Sequence, residues 1–118
     1  MTLEQDAKEV REKLKFKLKE AGFPNKYCKF AVLEINKRGY EIIAGTVKVD
    51  NYCGMLDYYE WPHYWNFDRV TGMEFDITAS QFNIHTKSRK FPEIAVWKPG
   101  ENPAFSAVKR GISPDYVF

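Results

Sequence analysis

The chain is poor in cysteine: Cys28 and Cys53 are the only two in 118 residues, too few for a disulfide framework. It has no apolar run of roughly 18 residues, so no transmembrane helix is expected. It begins Met-Thr-Leu-Glu-Gln-Asp, acidic and without an apolar stretch, so no signal peptide is expected either. Seven Gly and six Pro are too few for collagen-like or low-complexity organisation. Charge of one sign is lacking too. Eighteen Lys and Arg stand against 16 Asp and Glu, a net +2, which argues against nucleic acid as a partner. With no membrane segment in view, the expected location is the cytoplasm, where both thiols stay reduced.

Aromatic side chains are abundant instead. Nine Phe, seven Tyr and three Trp make up 16% of the chain, many of them between Tyr52 and Phe82. With 44% hydrophobic and 29% charged residues, the composition is that of one folded domain spanning 1–118 with a single modest core. Residues 1–22 read as an amphipathic helix. Leu3, Ala7, Val10, Leu14, Leu18 and Ala21 recur at steps of three and four, and Thr2 with Gln5 forms a capping box. Gly22 and Pro24 supply the stop. The Lys and Arg residues at 8, 11, 13, 15, 17 and 19, interleaved with Glu9, Glu12 and Glu20, read as its solvated face.

A second helix is expected from Lys26 or Tyr27 to Arg38, apolar around much of its circumference through Phe30, Ala31, Val32, Leu33 and Ile35 and so largely buried. Strands follow at Tyr40–Val49, Trp61–Phe67 and Met73–Ile77, the last two joined across Val70-Thr71-Gly72. The segment 84–118 carries short extended pieces around Ile94, Val96 and Phe105, interrupted by prolines. The expected class is α+β, with N-terminal helices on a small antiparallel sheet.

Three residues stand in a suggestive order. Cys28 opens a helix, where the helix dipole favours a thiolate. His63 lies on the second strand, within Trp-Pro-His-Tyr-Trp-Asn, and Asp76 lies on the third, within Met-Glu-Phe-Asp-Ile-Thr. If those strands pair, the carboxylate meets one imidazole nitrogen and the thiol the other, which is the nucleophile–base–orienter arrangement. Taken singly, each residue also fits ordinary packing: cysteine as a small hydrophobe, histidine among aromatics. Asp76 is the exception, because a carboxylate between Phe75 and Ile77 needs either water or a partner. Trp65, by alternation, falls on the same face as His63 and is expected to wall a cleft. Cys53, in a loop before His63, is the alternative nucleophile. Zinc is disfavoured because Cys28, Cys53, His63 and His85 include no closely spaced ligand pair. His85 reads as a surface residue.

The wording of these segments, Cys28-Lys29-Phe30-Ala31, His63-Tyr64-Trp65-Asn66, Thr71-Gly72 and Asp76-Ile77-Thr78-Ala79-Ser80-Gln81-Phe82, resembles small bacterial proteins of the YunG-like type. More broadly it resembles compact papain-like cysteine hydrolases of the transglutaminase-like or NlpC/P60-like kind. The resemblance covers residues 24–83, about half the chain. It implies a papain-like core with Cys28 as nucleophile, His63 as general base and acid, and Asp76 as orienter. It implies no cofactor, and a peptide or protein amide as substrate. Tyr27 departs from the small residue usual before the cysteine. The backbone N–H of Cys28, with Asn25 as a weak second donor, is the available oxyanion site. The resemblance therefore implies a cysteine-dependent amide hydrolase or acyl transferase. The alternative is a non-catalytic protein- or peptide-binding module on the same fold.

Overall fold

Thr2 starts the first helix, α1 (Leu3–Lys17), as the capping box requires: its hydroxyl accepts from the Gln5 N–H at 3.2 Å, and its own N–H donates to Gln5 Oε1 at 2.9 Å. Leu3, Ala7, Val10 and Leu14 form the buried stripe. Leu18 is the helix C-cap, and residues 19–22 of the expected helix lie outside the described residues. The structure, a computed structural model, describes residues 2–18, 27–50, 55, 57–86 and 90–117. Helix α2 (Cys28–Asn36) begins at the cysteine itself and buries Ala31, Val32 and Ile35. Phe30, expected inside, is 58% exposed, because a helix lying on a sheet buries one face only.

Among the described residues five strands form one antiparallel sheet: β1 (Glu41–Asp50), β2 (Tyr58–Asp68), β3 (Met73–Asp76), β4 (Ala95–Trp97) and β5 (Phe105–Arg110), in the order β4-β3-β2-β1-β5. The class is α+β, as the patterning implied. A 3-10 segment, Ala79–His85, follows β3. β1 and β2 are the long central pair, in register from Glu41 opposite Phe67 to Asp50 opposite Tyr58. β3 pairs with β2 only at Asn66–Asp68, so among the described strands the stretch of β2 that carries His63 has a neighbour on the β1 side alone. Pro62 is tolerated in the middle of β2 for this reason: a residue without an N–H suits a strand edge.

Alternation divides the core in two. One cluster joins α1 and α2 to the sheet through Leu3, Ala7, Val10, Leu14, Ala31, Ile35, Tyr40, Phe75 and Ile77. The other is lined by Ile43, Val47, Val49 and Trp65 from the central strands and closed by Phe82, Phe91, Trp97 and Phe105. His63 stands opposite Gly45 and two residues before Trp65, on the side of this aromatic cluster. Gly45 has to be a glycine there, since a Cβ would lie 2.2 Å from the Ser106 carbonyl oxygen and 2.4 Å from the Trp65 ring.

Candidate functional site

Cys28 occupies the first helical position of α2, and Tyr27 is its N-cap, with no side-chain capping hydrogen bond to the helix. The first N–H groups of such a helix have no acceptor inside it and point outward from its positive end. The thiol is half-buried and unpaired in any disulfide. Beside it stands the His63 imidazole, 3% exposed and near enough to Cys28 for the two to influence each other's charge. The other face of the ring is engaged as well, His63 Nε2 lying 2.6 Å from Asp76 Oδ2. Nδ1 is thus the nitrogen left for the thiol. Asp76 is buried and fully occupied: its Oδ1 accepts the Thr78 N–H at 2.8 Å and the Thr78 hydroxyl at 3.0 Å.

The electrostatics follow from this packing. Burial alone would lower the His63 pKa, because it penalises the charged ring. The charge and hydrogen bond of Asp76, together with the hydrogen bond and charge of Cys28, more than reverse that effect and push it up from 6.5 to about 10. His63 is therefore an imidazolium at neutral pH, held between a carboxylate and a sulfur. Its ring is fixed by aromatics: it stacks on Trp65 at 6.2 Å between centroids, meets Phe82 edge-on at 5.0 Å, and lies 6.4 Å from Phe105.

Cys28, His63 and Asp76 are thus brought together in chain order. Trp65 shares the face of His63, but it is wholly buried and its indole N–H donates to Glu74 Oε1 at 2.6 Å. It backs the histidine and offers no surface to a substrate, which corrects the expectation that it walls a cleft. Asn25 and Cys53 lie outside the described residues. His85, expected at the surface, is half-buried and stacks on Trp61 at 5.7 Å. Lys90 donates to the carbonyls of Asn83 and Thr86. No group of three or more His, Cys, Asp or Glu side chains able to hold a metal stands together among the described residues. A cavity of about 100 Å³ lined by Lys48, Asp50, Thr86 and Phe91 does not include Cys28 or His63.

Among the buried charges the sequence reading missed are Arg11 and Glu74. Arg11, placed on the solvated face of α1, is only 6% exposed and donates to the Ile77 carbonyl next to Asp76. A signal was present: Arg11 lies four residues after Ala7 and three before Leu14, inside the apolar stripe. Glu74 is buried beneath Trp65 and also accepts from Arg110 at 2.8 Å. No protein-family model matches the chain, and no curated protein or solved structure matches it.

Proposed function

We propose that the chain is a cysteine-dependent amide hydrolase or acyl transferase with a papain-like core, acting on a peptide or protein amide in the cytoplasm. The observation that carries the reading is one continuous chain of contacts. A half-exposed cysteine at a helix start stands beside a buried histidine whose pKa it helps to raise, and Nε2 of that histidine lies 2.6 Å from a buried aspartate. In the proposed reaction the Cys28 proton rests on His63. The sulfur attacks the amide carbon, and the N–H groups at the start of α2 receive the developing oxyanion. The C–N bond breaks as His63 gives its proton to the leaving amine, leaving a thioester. Water then attacks, His63 takes its proton, and the C–S bond breaks to release the acid. An amine in place of water gives acyl transfer. Asp76 keeps the ring oriented and its positive charge balanced throughout.

Alkylation by iodoacetamide with peptide mapping, which separates Cys28 from Cys53, tests the reading. Cys28 is expected to react at pH 6 at least about tenfold faster than an unactivated thiol, and His63→Ala to abolish the excess. A slow rate indifferent to His63→Ala overturns the enzyme in favour of a binding module.

A further inference from the structure

Arg11 has a place that neither the helix nor the core accounts for. It projects from α1 into the protein, and its guanidinium donates to the carbonyl of Ile77, the residue between Asp76 and Thr78. Those three residues form the turn that leaves β3 and presents the carboxylate to His63. The arginine reaches across 66 positions of sequence to make this bond. A second nitrogen of the guanidinium lies 3.8 Å from Glu93, in the segment ahead of β4. Its other charged neighbours are Asp76 itself and Glu12 on its own helix. Burying a guanidinium is costly unless it is paired and hydrogen-bonded, and on a surface helix rich in Lys, a charge turned inward needs a use. Here it fastens the backbone of the Asp76 turn to α1 while facing the carboxylate.

We propose that Arg11 is a positioning residue for the candidate triad, holding the Asp76–Thr78 turn so that Asp76 Oδ2 stays on His63 Nε2. The inference rests on the Cys28–His63–Asp76 reading, but its structural part is testable without any substrate. Two effects of opposite sign make it decidable. As a cation alone, Arg11 disfavours protonation of His63, so its removal would raise the pH at which the ring loses its proton. As the support of Asp76, it favours protonation, so its removal would lower that pH. Among the described residues the charged groups that act on the imidazole are Asp76 and Cys28, and those that act on Arg11 include Asp76, Glu93 and Glu12.

The experiment is an NMR titration of the two histidines in the full chain, with His85→Gln used to assign His63. Arg11→Met is expected to lower the His63 midpoint by about one pH unit, a tenfold change in proton affinity. Arg11→Lys, which keeps a cation and a donor, is expected to lower it less. In an Asp76→Asn background Arg11→Met is expected to have no further effect, since the two act through one contact. A midpoint that rises or stays constant in both Arg11 variants overturns the proposal, and so does an equal fall with and without Asp76. Should Arg11→Met fail to fold, Arg11→Lys in the two backgrounds decides alone. The alkylation result above is independent of this titration. A slow Cys28 with a normal Arg11 effect removes the enzyme and leaves the positioning role; a fast Cys28 with no Arg11 effect does the reverse.

Discussion

Replacing Asp76 by Asn isolates the electrostatics of the site. In the folded protein His63 keeps its proton until about pH 10, against 6.5 for an unperturbed ring. A rise of that size corresponds to about 5 kcal/mol in favour of the protonated form, a large share of the roughly 5–15 kcal/mol that holds a domain together. Because the folded pKa is raised, this stabilisation is fully present below about pH 6.5 and declines as pH rises. It is lost once pH passes about 10, where the folded ring also gives up its proton. Urea unfolding followed by circular dichroism at unit steps from pH 6 to 10 reads it directly. The wild-type stability is expected to fall by up to about 1.4 kcal/mol per pH unit across that window. Asp76→Asn removes the charge 2.6 Å from the ring, so its profile flattens. It starts about 3 to 5 kcal/mol lower near pH 6, the cost of breaking a buried pair, and approaches the wild type near pH 10. Parallel profiles for the two proteins would refute the argument that Asp76 holds the proton on His63.

Two further outcomes concern the surroundings. Gly45→Ala puts a methyl group against the Ser106 backbone and the Trp65 ring, and is expected to cost about 2 kcal/mol by thermal melting, with no loss if β5 packs elsewhere. Tyr40→Phe removes the 2.5 Å hydrogen bond from the phenol to Asp6 Oδ2, at about 1 to 2 kcal/mol. Burial works to raise the Asp6 pKa, but the Tyr40 and Arg38 contacts outweigh it and hold it below its ordinary value. The stabilisation is therefore present above the unfolded pKa of about 3.8 and lost as pH falls through the lower folded value, so the acid-unfolding midpoint of Tyr40→Phe is expected to move up.

What the sequence made legible is what local pattern encodes. The stripe of α1 and its capping box are periodic signals, and Leu3, Ala7, Val10 and Leu14 are buried where that stripe lies. The helix start at Cys28 and the strand placement of His63 and Asp76 were readable from the same kind of pattern. Tertiary choices were not. β2 begins at Tyr58, earlier than Trp61, because Val49 and Asp50 offer it partners that the strand's own composition does not reveal. Phe30 faces out and Arg11 faces in, each against its residue type, because helix faces are assigned by what packs on them. The depth of Trp65 depends on Glu74, on the next strand, and on Phe105, forty residues away, so no reading of Trp-Pro-His-Tyr-Trp-Asn alone finds it.

The strand order has a consequence for the time at which the histidine acquires its setting. β5, the last described strand in sequence order, lies beside β1 and brings Phe105 against both His63 and Trp65. Until residue 105 has left the ribosome, the helices, β1, β2 and β3 can assemble, but the aromatic wall around the imidazole remains open to water. The low-dielectric surroundings that make the Asp76 charge count arrive with β5, through a long-range pairing that is slow by its loop-closure entropy. A newly made chain thus passes through a stage in which Cys28, His63 and Asp76 are present but the imidazole is not yet enclosed.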